Sequence, residues 1–395
     1  MSFLKGLGVS ILSFLLFLSL SVFGLAFALN STVLSADFAT SELNKLDVSA
    51  IVEDVFVEQN PEEGLESALV TAISEAEPII KEQVNVAIYE IYDYLKGKTE
   101  DLDLALTLKN TVLSSDFMVS VVDELDMSSI VKEPLSDKIA KEIPADSQYI
   151  TQYLDDSLDE VITELKPWMK QQISAAAGPL TDYLLGNSQS FNVAISWGPV
   201  IESLRDHLQS AFLQSPPPEF AMLSRAQLEQ KFTELYQQFS AQMPSTFTLD
   251  ESLFGDTPPN LADGLAEAEK ALGNARQYVH YFQLGYPLLI VFMVLLVAGI
   301  ALINRNVRVT TRSLGVTALI DGVIGFVGIV VGGKFLESLL AQIDAPASLQ
   351  AWMPQLAGDL LSPMKMFSIG VMVAGVVLII VSIVYRRKAS SGTVS

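Results

Sequence analysis

The chain has 395 residues, 50% of them hydrophobic and 18% charged, with a mean hydropathy of +0.38 and a formal net charge of −22. Two histidines and no cysteine exclude thiol catalysis, disulfide scaffolds and cysteine-ligated zinc or iron–sulfur centres. The acidic balance excludes nucleic acid as a partner, because phosphate binding needs a surplus of Lys and Arg. An average both so apolar and so acidic is the mean of two populations, a membrane part and a polar part.

Residues 1–29 form the first apolar segment. The run from Gly6 to Leu29 follows Lys5 and exceeds the roughly 20 residues that a span needs. Ala26-Phe27-Ala28 at its end also fits a signal-peptidase site, so the segment reads as an anchor, with a cleaved signal as the rival. Asn30-Ser31-Thr32 matches a glycosylation sequon, but it abuts the bilayer and reads as coincidence.

An internal duplication follows. STVLSADFATSELNKLDVSAIVED (31–54) matches NTVLSSDFMVSVVDELDMSSIVKE (110–133) at 12 of 24 positions, including Asp37/Asp116 and Phe38/Phe117. A second block, DYLKG (93–97) against DYLLG (182–186), pairs Tyr94 with Tyr183 and Gly97 with Gly186, and Pro78 with Pro167 keeps the same offset of 89. Two blocks in one order make repeats over 30–109 and 110–198. In the first, Leu65, Leu69, Ala72, Ala76, Ile80, Val84, Ala87, Ile91 and Leu95 step by three or four after Asn60-Pro61. That predicts an amphipathic helix, kinked at Pro78 and stopped by Gly97. Leu102, Leu104, Leu106 and Leu108 alternate and predict a strand, as do Phe191, Val193, Ile195 and Trp197 in the second repeat. The first repeat has the end of the membrane span in the equivalent place. Thr32 and Thr111 are expected to open the next helices, with Asp37 and Asp116 in their first turns. A shorter third unit is expected over 199–260, with a helix around Ala221 to Gln242 and then a strand at Phe247 and Leu249.

The helix over 261–283 leads into a span at 284–303, with a bend expected at Gly285 and Pro287. A basic loop (304–313), a span (314–333), an outer loop (334–365), a span (366–385) and a tail (386–395) complete the chain. Outside residues 30–283 there are nine Lys and Arg against four acids, net +5. The polar region holds 15 bases and 42 acids, net −27. Arg305, Arg308 and Arg312, then Arg386, Arg387 and Lys388, and also Lys5, mark cytoplasmic flanks. The expected topology has both termini in the cytoplasm and residues 30–283 outside the cell membrane.

Catalytic motifs are missing: no HExxH, GxSxG, dinucleotide fingerprint or calcium-loop spacing occurs. Gly328 to Phe335 imitates a phosphate loop but lacks its final Ser or Thr and lies in an apolar run. His207 and His280 look isolated. Asp155, Asp156, Asp159 and Glu160 read as a solvated helix face rather than a calcium cage. Asp321 lies about seven residues into its span, where an acid costs roughly 2.5–3.5 kcal/mol on insertion scales, and it is the candidate intramembrane polar site. The structural alternative has it paired with Asn304 or Arg305 of the preceding span, or protonated. Gly322, Gly325, Gly328 and Gly332, with Gly370 and Ala374 in the last span, are candidate packing positions that bring helices close.

The expected fold is therefore that of a mainly α membrane protein, with four transmembrane helices and a mostly helical, duplicated ectodomain with short strands. The expected function is non-enzymatic, without cofactor or metal: binding, spacing or scaffolding at the cell envelope, with the lipid bilayer and a protein partner or a second copy of the chain as partners. The alternative is an accessory subunit of a transport or ion-conducting complex that works through Asp321.

Overall fold

The computed structural model describes residues 2–59, 63–128, 132, 148–241, 245–250, 261–340, 342–343 and 345–391. Expectations for Asn60-Pro61, for most of 129–147, for 251–260 and for the last four residues lie outside them, as do the side chains of Asp155 and Asp156. The described chain is mostly helical. In order it forms α1 (Ser2–Ser31), α2 (Ala36–Lys45), α3 (Val48–Gln59), α4 (Glu63–Leu95), α5 (Leu104–Asn110), α6 (Ser115–Glu124), α7 (Gln148–Leu184), β1 (Asn192–Ser196), α8 (Gly198–Gln214), α9 (Arg225–Ser240), β2 (Thr246–Asp250), α10 (Leu261–Asn304), α11 (Val307–Leu340) and α12 (Ala347–Ser391). It divides into two compact units, one of Met1–Leu46, Ile88–Asp101 and Ala271–Ser395, the other of Asp47–Ala87 and Leu102–Lys270.

The first unit holds four helices long and apolar enough to cross a membrane: α1, α10, α11 and α12. Their directions follow from which residues meet. Gly8 faces Ile303, Gly299 faces Leu12, and Leu16 is buried with Leu296 and Ile300, so α1 and α10 run antiparallel. Ser13 meets Ser313 and Ser21 meets Asp321, so α1 and α11 run parallel in one register. Gly315 meets Gly375 and Gly333 meets Leu361, which makes α11 and α12 an antiparallel hairpin. These helices extend past the apolar cores read from sequence. Arg308 and Arg312, expected in a loop, belong to α11, and only Arg305-Asn306 separates it from α10. Likewise α11 reaches Leu340 and α12 starts at Ala347, so most of the expected outer loop is helical. Helix α10 runs unbroken through Gly285 and Pro287.

In the second unit, α7, α8 and α9 enclose a core that includes Leu158, Val161, Leu204, Leu208, Phe212, Phe232 and Tyr236, each at most 5% exposed. Local sequence explains the helix starts. Pro199 occupies the first turn of α8, where its missing N–H costs nothing, and Ser224 with Gln227 forms a capping box on α9. The expected strands at Val193 to Ile195 and at Phe247 to Leu249 are present and pair antiparallel, with Asn192 opposite Asp250 and Ser196 opposite Thr246.

The strand expected from Leu102 to Leu108 is instead helix α5. Asp103 caps it by accepting from the Leu106 N–H (2.8 Å), and Leu104 and Thr107, three residues apart, supply the buried face. Helix propagation needs only that first cap and an i, i+3 face, and alternating leucines do not prevent it. Nor do Thr32 and Thr111 open helices. Each is 2% exposed and donates its hydroxyl back one turn, to Ala28 and Thr107 respectively (2.7 Å each), closing the preceding helix. The caps are Ser35 and Ser114, which accept from the Phe38 and Phe117 N–H groups. At the other blocks Gly97 (φ 74°) and Gly186 (φ 73°) take the left-handed conformation. Lys98 N–H bonds to Asp93 O and Asn187 N–H to Asp182 O, while the glycine N–H groups reach Tyr94 and Tyr183, the paired bonds of a Schellman stop.

Candidate functional site

The first unit presents a polar seam inside its apolar helices. Asp321 is 5% exposed and accepts a hydrogen bond of 2.5 Å from the Ser21 hydroxyl. Eight residues earlier on both helices, Ser13 and Ser313 hydroxyls lie 3.0 Å apart. Thr310 and Thr317 are buried on the same side of α11. Neither Asn304 nor Arg305 is the partner of Asp321. Asp321 lies 14 residues beyond the start of α11, about 21 Å along the axis at 1.5 Å per residue. The Asn304 amide nitrogen is buried without a partner among the described residues.

The packing glycines are partly those expected. A Cβ on Gly322 would meet Met372 N and Ser368 O at 2.7 Å, and one on Gly325 would meet the Ser368 hydroxyl at 2.8 Å. Gly328, Gly332 and Gly370 have open space instead, and Ala374 is exposed. Gly315 and Gly375, missed in sequence, make an equally close backbone approach: a Cβ on Gly375 would lie 2.7 Å from Leu319 N and 2.8 Å from Gly315 O. Their signal was a period of seven, with Gly315, Gly322 and Ile329 on α11 and Ser368, Gly375 and Ser382 on α12, all buried. A seven-residue step returns to nearly the same face after two turns, whereas the three-residue steps from Gly322 through Gly325 to Gly328 drift off it.

One end of this bundle gathers Lys5 with Arg305, Arg308 and Arg312. Gly8 of α1 meets Ile303, and the Ser382 hydroxyl donates to Arg308 O (2.9 Å), which brings the start of α1, the α10–α11 link and the end of α12 together. At the opposite end Phe23 stacks on Phe27 (6.4 Å between ring centres) and on Tyr286 (5.4 Å), and Phe367 packs edge-on against Phe23 (5.5 Å) and tilted against Phe27 (6.0 Å). Next to them, the first DYLKG block is held by α10. Arg276 donates to Glu100 O (2.5 Å) and Thr99 O (2.9 Å), and its guanidinium lies 4.5 Å from the centre of the Tyr94 ring. Asp37 accepts from Tyr89 (2.7 Å), and Tyr92 donates to Val33 O (2.9 Å). Lys45 bridges Glu42 and Asp359, and those two carboxylates raise its ammonium pKa above the ordinary value.

In the second unit, Tyr183 is buried against Phe191, Asp182 pairs with Lys109, and exposed Asp116 shares a groove with Lys109 and Phe117. His207, read as isolated, is not. Its Nδ1 lies 2.8 Å from Glu160 and its Nε2 2.9 Å from Glu164, which also accepts from Ser203 (2.6 Å). Sequence gave only the i, i+4 spacing of Glu160 and Glu164 on α7. Both ring nitrogens face carboxylates and the Ser203 hydroxyl donates to Glu164 rather than to the ring, so the group is built as a clasp between α7 and α8 and not as a serine hydrogen-bonded to its base. Asp159 pairs with Lys132. His280 is exposed, beside Arg276. The sequon is closed, because the Thr32 hydroxyl is buried on Ala28 O. Gly328 to Lys334 is helical and forms no phosphate-binding loop.

No protein-family model, curated protein or solved structure matches the chain.

Proposed function

We propose that the chain is a non-enzymatic, multi-pass membrane protein that holds an acidic, internally duplicated region outside the membrane, where it spaces or scaffolds a protein partner or a second copy of itself at the cell envelope. The observation that carries this reading is the charge separation: basic segments converge at one end of the helix bundle, and the net −27 region departs from the other. Short basic flanks stay cytoplasmic, so both termini lie inside. Duplication has further support in the paired local devices: the Thr32 and Thr111 back-bonds, the Ser35 and Ser114 caps, and the Gly97 and Gly186 stops. The replacement of the expected strand by α5 makes the two repeats more alike in their order of elements, since each TVLS block then follows a helix end. Scaffolding is favoured by Arg276 and Lys45, which tie the first repeat's turns to helices that continue into the membrane.

The chain has no cysteine, so single introduced thiols report sidedness cleanly. A thiol at Gln189 should react with an impermeant maleimide on intact cells, and one at Asn306 only after permeabilisation. The reverse pattern overturns the topology. Lysine cross-linking in native membranes should join residues 30–283 to a second copy or to another extracytoplasmic protein. Cross-links confined to the cytoplasmic flanks would overturn the scaffold.

A further inference from the structure

We infer that Asp321 is the docking residue for the first span, and that α1 therefore stays in the mature protein as a fourth membrane helix rather than leaving as a signal peptide. The inference rests on the membrane-spanning part of the reading above, and not on which side the acidic region occupies. The other three spans all use α1. It packs on α10 through Gly8, Leu12 and Leu16, on α11 through Ser13 and Ser21, and on α12 through Gly24, whose Cβ position lies 2.9 Å from the Phe367 ring. In hydrocarbon no water can replace a lost hydrogen-bond donor, so an acid there must find its partner inside the protein. Ser21 supplies that donor to Asp321. The shared offset of 300 between Ser13 and Ser313 and between Ser21 and Asp321 means that both bonds form in one register. A slip of either helix by one residue breaks both at once.

The cleavage motif is closed by the same arrangement. A peptidase must hold its substrate extended, yet Ala26-Phe27-Ala28 lies within continuous α1. Ala28 is 8% exposed, its carbonyl accepts from both the N–H (3.0 Å) and the hydroxyl (2.7 Å) of Thr32, and the Phe27 ring packs, tilted, against Phe367. Removal of residues 1–28 would strip Asp321 of its donor and leave the faces of Leu296, Ile300 and Phe367 without their partner helix.

Two measurements on the full-length protein in its native membrane test this. Intact-mass analysis of C-terminally tagged protein should show residues preceding Ala28 retained. A mature chain that begins at or after Leu29 overturns the inference. Next, Ser13→Cys with Ser313→Cys should form an intramolecular disulfide under mild oxidation, whereas Ser13→Cys with Ser338→Cys should not. On that background Asp321→Asn, which still accepts from Ser21, should keep the disulfide yield. Asp321→Leu, which suits lipid and inserts well, should lower it at least about threefold, the effect of one interhelical hydrogen bond. No disulfide in the Ser13/Ser313 pair, or equal yields for the parent, Asn and Leu chains, sinks the docking role. A topology opposite to the proposed one leaves these outcomes unchanged, so the two failures are distinguishable.

Discussion

His207 spans two carboxylates one helical turn apart, and the acidity of the group it shares with Ser203 has a measurable consequence. Hydrogen bonds from Ser203, and then from His207, hold the Glu164 carboxyl pKa below its ordinary 4.5. A depressed folded value means stability that is present above the ordinary pKa and is lost as pH falls through the folded one. Thermal unfolding of the full-length protein in detergent should therefore shift down as pH drops below about 4.5. Ser203→Ala should shrink that acid-induced shift, because the folded pKa then moves back towards the unfolded one. Identical acid profiles for parent and variant would refute the assignment. None of this was legible in sequence, where Ser203 and His207 stand about 40 residues from their partners and ordinary acids crowd the same helix.

Among the elements, long apolar helices were legible and short ones were not. Four helices long and apolar enough to cross a membrane declare themselves because about 20 consecutive apolar residues have few other uses. Residues 102–110 do not, since leucine at every second position serves a strand by alternation and a helix by its 104, 107 and 111 face. Which glycines touch a neighbour was only half legible: sequence marks small residues but not the rotation of the helix. The structure separates them, and a paired substitution checks it. Gly322→Val places carbons against Met372 and Ser368 backbone and should cost about 1–3 kcal/mol in the stability of the detergent-solubilised protein. Gly328→Val, with nothing within 4 Å, should be nearly neutral. Equal losses at both positions would mean that the α11–α12 face is placed wrongly.

For the whole molecule, the charge of the polar region sets a prediction independent of any contact. A net −27 over residues 30–283 repels itself, and physiological salt screens charges beyond about 8–10 Å. Unfolding of that region in the full-length protein should rise in temperature from dilute buffer to moderate salt, and a midpoint that is indifferent to salt or falls with it would count against the argument. Composition, hydropathy and charge are one-dimensional quantities, and sequence by itself determined what depends on them: four helices long and apolar enough to cross a membrane, a mostly helical described chain, the repeated blocks and their left-handed glycine stops. Contacts between residues distant in the chain depend on rotation and register, which no local pattern encodes. Only the tertiary structure decided that Ser21 meets Asp321, that Gly315 and Gly375 rather than Gly332 and Gly370 bring the helices together, and that Arg276 grips the turn after Tyr94. The physical reason is that a hydrogen bond or close approach is satisfied by whichever group packing brings within about 3 Å, and sequence distance has no bearing on that.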